Sequence, residues 1–183
     1  MTYLNTPAES PLYAAEEAAV GYVPNYTRAF ALAPDAYAAW QQLGGAVRGG
    51  MDLRRYELVT LAAAQALGSA YCSLAHARVL REKFYGDEEL RAIASDHRSA
   101  ELDPVDVAIM DFAARIAVDQ HAATEADAEK LRGLGLSDAD IFQIVLAVGI
   151  RRFFSGVLDS VHAEPDPVLR DFGHLLPGDQ RAI

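Results

Sequence analysis

The sequence is poor in the residues that staple a fold or ligate a metal. A single cysteine stands among 183 residues, so no disulfide closes within the chain, and a cysteine-rich zinc or iron–sulfur site is excluded. Positive charge is scarce too: 16 Lys and Arg face 26 Asp and Glu, a net charge of −10. The basic residues are scattered apart from pairs such as Arg54-Arg55 and Arg151-Arg152. Nucleic acid and anionic membrane need a basic footprint, so neither is expected as a partner. The first residues lack a basic-then-apolar leader, and no apolar run is read as reaching the ~18 residues of a bilayer span. The expected setting is soluble, reducing and cytoplasmic.

What is present points to an all-α protein. The residues AVILMFWYC supply 51% of the chain, enough for a sizeable core at this length. Alanine-rich runs with few β-branched clusters favour helices, and no stretch alternates as strands joined by hairpin turns do. Ser10–Ala19 reads as a first helix, Gly21 and Pro24 as turn punctuation, and Pro34 as the first turn of a helix ending near Gly49-Gly50. Asp52 is placed to cap a helix with one apolar stripe of Leu53, Tyr56, Val59, Ala63 and Leu67. Gly68 breaks it, and Ser69 is an N-cap for the next helix, which ends near Gly86. A short helix over Asp87–Ala94 follows. Asp103-Pro104, Thr124 with Asp127 and Ser137 with Asp140 mark three further helix starts. The tail beyond Pro165 is loop-rich and is expected to wrap a neighbour.

The halves echo one another at an offset of 83 residues. Leu53 falls on Leu136, Glu57 on Asp140, Leu61 on Ile144, Ala64 on Ala147, Cys72 on Ser155 and His76 on Asp159. The shared pattern, an acid followed by an apolar run, reads as a weakly duplicated helical unit that kept Cys and His in one copy only.

Cys72 and His76 are the residues with chemistry to offer. With Ser69 as N-cap, Cys72 lies in the first helical turn, where free N–H groups and the helix dipole favour a thiolate. His76 is one turn on, on the same face, in reach of the sulfur directly or through a water. A helical hairpin turning at Gly68 puts Glu57 opposite His76, giving a Glu, His, Cys relay. Plainer readings exist for each: Cys72 as a small buried hydrophobe, His76 as a structural histidine, Glu57 as the partner of Arg54. The other histidines, His97, His121, His162 and His174, lack metal-ligand spacing and read as surface residues. Tyr22, Tyr26, Tyr71 and Trp40 suit a core, an interface or a pocket wall. Arg151 and Arg152 interrupt a long apolar helix, and an intersubunit salt bridge is their expected use.

The run ELVTLAAAQALGSAYCSLAH resembles the signature of alkylhydroperoxidase D-like proteins in the carboxymuconolactone decarboxylase family: a glutamate, eleven residues, Cys-x-x-Cys, three residues, then histidine. Glu57, Ser69, Cys72 and His76 occupy those four places. The stretches GYVPNYTRAFALAPDAYAAW and GLSDADIFQIVLAVGIRRFFSGVLDSVHAEPDP resemble further parts of its peroxidase-related branch. The resemblance implies one all-α domain over residues 1–183, with an N-terminal part to about 50, a Cys/His unit at about 51–100, a second unit at about 101–165 and a tail at 166–183. It implies a homo-oligomer (dimer, trimer or hexamer), and no metal or organic cofactor. In the family the two cysteines cycle between dithiol and disulfide as peroxide is reduced, with Glu and His relaying the proton. Here Ser69 replaces the first cysteine and closes that cycle. A one-cysteine route remains, in which Cys72 attacks a peroxide, becomes a sulfenic acid and is reduced by an external thiol, while Ser69 caps the helix and donates to the sulfur. The alternatives are a lyase acting on a lactone carboxylate without the thiol, and a non-catalytic oligomeric helical module.

Overall fold

Side-chain capping marks where four of the helices begin. The computed structural model describes residues 2–178. Helix α1 (Pro11–Val20) starts where the Ser10 side chain accepts from Leu12 N at 3.3 Å. Helices α2 (Asn25–Phe30) and α3 (Pro34–Gly49) follow, and α4 (Leu53–Ala66) is capped by Asp52, whose carboxylate accepts from Arg55 N at 3.1 Å. Gly68, at φ 72°, turns the chain into α5 (Ala70–Lys83), a backbone region glycine enters without steric cost. Then come α6 (Asp87–Asp96), α7 (Pro104–Val118), α8 (Glu125–Gly133), α9 (Asp138–Ser160) and α10 (Pro167–Arg170). Reciprocal capping boxes, Thr124 with Asp127 and Ser137 with Asp140, open α8 and α9. Among the described residues there is no strand.

Helix α4 is the central rod. Tyr56 to Ala64 are buried without a break, so the single stripe expected there is instead a helix covered on all sides, Glu57 and Thr60 included, and packed by α5, α7 and α9. The reason is size: Ala62, Ala63 and Ala64 let neighbouring helices close in on faces that a stripe leaves to solvent. Burying a leucine such as Leu58 or Leu61 contributes roughly 1.5–3 kcal/mol. The carboxylate of Asp106 on α7, fully buried, ties α7 to α4: Arg54 Nη2 donates to it at 2.6 Å and Arg55 Nε at 3.1 Å. Arg54 therefore serves Asp106, not Glu57.

Four expectations are corrected. The segment after Pro24, read as turn punctuation, contains α2. Pro24 sets an extended N-cap, and the Asp166 carboxylate accepts from Asn25 N at 2.8 Å, a partner 141 residues away. The tail from Pro165 folds onto its own chain: α10 lies against α5, the 3-10 turn Gly173–Leu175 lies against α6, and Leu169, Leu175 and Leu176 are buried. Of the tail, residues 179–183 lie outside the described residues. The halves echoing at 83 differ in shape, because the first bends at Gly68 whereas α9 runs straight through the matching position, Arg151. Finally, α9 is one helix long and apolar enough, by length and composition, to cross a membrane. Arg151 and Arg152 interrupt its apolar run, and in the fold α9 packs along α3, α4 and α7.

Candidate active site around Cys72

The helical hairpin α4–α5 brings Glu57 and His76 together. His76 Nδ1 lies 2.6 Å from Glu57 Oε2 and 3.1 Å from Thr60 Oγ1, with all three residues buried. These contacts fix the tautomer. Thr60 spends its hydroxyl hydrogen on backbone carbonyls, on Tyr56 O at 2.7 Å and Glu57 O at 3.2 Å, so it meets the ring only as an acceptor, as Glu57 does. The proton is therefore on Nδ1, leaving the Nε2 lone pair free. Nε2 is buried and has no hydrogen-bond partner among the described residues. Burial and then the positive charge of Arg151 hold the imidazole pKa below its ordinary 6.5, outweighing Glu57. His76 is thus a neutral base, oriented by a carboxylate.

The sulfur of Cys72 has a partner that the sequence did not reveal. Arg151 Nη1 donates to Cys72 Sγ at 3.3 Å. Arg151 is buried near the middle of α9; it lies within electrostatic reach of Tyr56 and sits with its guanidinium carbon 5.7 Å from the Phe154 ring centroid. Burial works to discharge it, but Cys72 and Tyr56 outweigh that and leave its pKa raised. Among the described residues no carboxylate lies within ion-pair distance of Arg151. A buried cation without a carboxylate beside it is costly, and the Cys72 sulfur is the side-chain atom it donates to. The intersubunit salt bridge expected of Arg151 is thereby corrected: the side chain is buried and turned inward to Cys72. Arg152, its neighbour, turns outward to Gln120.

Two further expectations shift. His76 forms no hydrogen bond with the sulfur, since Nδ1 is taken by Glu57 and Thr60 while Nε2 has no partner. Ser69 stands at the N-cap of α5, but its side chain makes no capping bond and none to Cys72; its hydroxyl donates to Asp159 Oδ1 at 3.0 Å. Asp159 comes from the end of α9, and partial burial pushes its carboxyl pKa up against the pull of that hydrogen bond.

A cleft of ≈ 430 Å³ opens beside this cluster, with Trp40, Arg48, Tyr56, Glu57, His76 and Arg151 in its wall. Cys72, 1% exposed, lies behind that wall and not in it. Arg48 is half-exposed at the cleft and only 3.9 Å from Glu57 Oε1. Trp40 stacks on Phe154 with centroids 4.2 Å apart. Among the described residues no cluster of His, Cys, Asp or Glu has the arrangement of a metal site.

Residues 34–115 match the carboxymuconolactone decarboxylase family. No curated protein matches the chain. Solved structures share its fold. The alkylhydroperoxidase AhpD core of an uncharacterized peroxidase-related protein from Ralstonia eutropha JMP134 is 23% identical, with TM-score 0.83 over 98% of this chain and 96% of that one. An uncharacterized peroxidase-related protein from Silicibacter sp. TM1040 is 22% identical, with TM-score 0.83 over 92% and 93%. The debrominase Bmp8 in complex with 2,3,4-tribromopyrrole is 14% identical, with TM-score 0.79 over 94% and 97%.

Proposed function

We propose that this chain, which carries a carboxymuconolactone decarboxylase family match on an alkylhydroperoxidase D-like all-α fold, is a one-cysteine thiol oxidoreductase acting on a hydroperoxide. The observation that carries the reading is the buried Arg151 guanidinium at 3.3 Å from Cys72 Sγ, a cation whose neutralisation calls for a thiolate. The thiolate attacks the terminal peroxide oxygen; the S–O bond forms as the O–O bond breaks, and the departing alkoxide takes up one proton. His76, neutral and held by Glu57, accepts the Cys72 proton at Nε2 and returns it to that alkoxide. One external thiol converts the sulfenic acid to a mixed disulfide and water, and a second releases Cys72. The sum is one hydroperoxide and two thiols giving one alcohol, one disulfide and water. Ser69 positions the start of α5 through Asp159 in this scheme.

The test is consumption of an organic hydroperoxide by purified protein with a small thiol. Activity lost in Cys72→Ser supports the reading, and equal activity in that variant overturns it.

A second reading, a lyase acting on a lactone carboxylate, is favoured by one observation: His76, Glu57, Arg48 and Arg151 line the cleft while Cys72 does not. In it Arg48 receives the carboxylate and His76 moves the proton. It predicts lactone decarboxylation that survives thiol alkylation and is lost in His76→Ala.

A further inference from the structure

The cleft beside His76 carries a charge opposite to that of the chain around it. Its ionisable wall residues are Arg48, Glu57, His76 and Arg151. His76 is neutral, and Glu57 is buried and spent on it. Two guanidinium groups therefore meet one carboxylate, an excess of positive charge in a chain whose net charge is −10. A concave wall of one sign concentrates ligands of the other. Arg151 is buried and turned to Cys72, which leaves Arg48 as the cation a ligand can touch. Its side chain is 49% exposed, and its ion-pair contact with Glu57 Oε1, at 3.9 Å, is longer than a hydrogen bond.

The cleft runs along one face of α3. Trp40, Gln41, Gly44, Gly45 and Arg48 line it, at the spacing of three and four residues that brings helical positions onto one side. At about 1.5 Å per residue, Arg48 lies roughly 12 Å along the axis from Trp40. Between them stand two adjacent glycines, which weaken a helix interior. Neither has a positive φ, so backbone geometry does not call for glycine at either place. What they supply is room: a Cβ on Gly45 would meet nothing within 4 Å, and one on Gly44 would meet Trp40 at 4.0 Å. Ala75 and Val79 of α5 add apolar wall. The face thus offers an aromatic ring at one end, an open floor in the middle and a half-exposed guanidinium at the other.

We infer that the cleft binds a monocarboxylate with an extended apolar body: the carboxylate pairs with Arg48, and the body lies over Gly44 and Gly45 toward Trp40. The guanidinium fork matches a carboxylate. A phosphate dianion would set its second charge against Glu57, and a floor of this length suits a chain better than a compact lactone ring. The volume of ≈ 430 Å³ falls in the roughly 300–1,000 Å³ range of small-molecule sites. This rests on the cleft being where the substrate binds and deepens that reading, in that the hydroperoxide carries its own carboxylate; it does not rest on Cys72 being the nucleophile.

Trp40 is the one tryptophan of the chain, so its fluorescence reports occupancy of the cleft. Octanoate, methyl octanoate, octylamine and octyl phosphate are titrated into the full chain near neutral pH. Octanoate is expected to bind saturably and at least about tenfold more tightly than its methyl ester, the order of one charge-assisted hydrogen bond. Arg48→Gln is expected to bring octanoate down to the affinity of the ester. Gly44→Leu, which fills the floor, is expected to weaken both, with helicity by circular dichroism unchanged in either variant. Should a variant not fold, the octanoate-to-ester ratio in wild type decides. Equal affinities of acid and ester, tighter binding of the amine or the phosphate, no saturable octanoate signal, or octanoate affinity unchanged in either folded variant overturns the inference. Octanoate binding alongside hydroperoxide turnover that survives Cys72→Ser would remove the thiol reading and leave this one. Turnover lost in Cys72→Ser without octanoate binding would do the reverse.

Discussion

Arg151 and Cys72 are 79 residues apart in sequence and 3.3 Å apart in space. Their contact joins α9 to α5 through the one thiol of the chain, and on the proposed cycle it sets a charge beside the reacting sulfur.

Removing the charge is the direct check. In Arg151→Leu, iodoacetamide alkylation of Cys72 is expected to slow about tenfold, the factor attached to ~1.4 kcal/mol of lost charge interaction. Arg151→Lys is expected to recover part of the rate, since it keeps the charge but not the fork of donors. An unchanged rate in Arg151→Leu would favour the non-catalytic module.

The pH dependence follows from His76. Its folded pKa is below the ordinary 6.5, so the imidazole stays a neutral base through and below that pH, and the acid limb of turnover is expected under 6.5. Stability has a definite sign as well. Between 6.5 and the lower folded value the unfolded chain binds a proton that the folded chain refuses. The unfolding free energy therefore falls with falling pH, by at most about 1.4 kcal/mol per pH unit. Urea titrations across this window are expected to show the fall in wild type and its absence in His76→Leu.

Ser69→Cys rebuilds the two-cysteine spacing at the start of α5. Because Ser69 is fully buried and donates to Asp159 at 3.0 Å, Ser69→Ala is expected to cost about 1 kcal/mol. Ser69→Cys is expected to form an intramolecular disulfide on peroxide treatment, seen as loss of both free thiols without dimer formation. Retention of free thiols would show that the Asp159 contact holds the two positions apart.

Asp106 tests the frame beneath the site. Asp106→Asn leaves Arg54 and Arg55, both partly exposed, without their buried carboxylate, and losing charge-assisted hydrogen bonds of this kind costs about 1.5–3 kcal/mol. A large drop in the urea midpoint is expected, with the far-UV helix signal intact below it.

Association with a second copy is expected through α9. Phe142, Val145 and Phe153 are exposed on it at 59%, 38% and 49%, an unusual apolar face for a chain carrying a net charge of −10. Light scattering is expected to show an oligomer for wild type and a smaller species for Phe142→Glu with Phe153→Glu.

Much of this was legible in the sequence wherever the cause is local. Ser10, Asp52, Thr124 and Ser137 act within three residues of themselves, so the caps announce α1, α4, α8 and α9. The Gly68 turn and the nineteen-residue interval from Glu57 to His76 are likewise short-range, and they meet in one hydrogen bond. What escaped depends on distant partners. Helix α2 is held by Asp166, and the hydroxyl of Ser69 is claimed by Asp159. Arg151 in an apolar helix was a visible anomaly. Its direction, inward to the sulfur and not outward to a neighbouring subunit, is set by how α9 lies on α5, and no local pattern encodes that.

The burial of Cys72 behind the cleft wall, at 1% exposure, bears on the fate of an oxidised sulfur. On the proposed cycle a sulfenic acid there has no neighbouring thiol to resolve it, so its lifetime is set by whatever small molecule reaches it first. The same enclosure that delays the repairing thiol delays the second peroxide that would drive it to irreversible sulfinic acid. On that cycle size exclusion, rather than a second cysteine, is the safeguard of the sulfur, and bulky thiols are the reductants turned away.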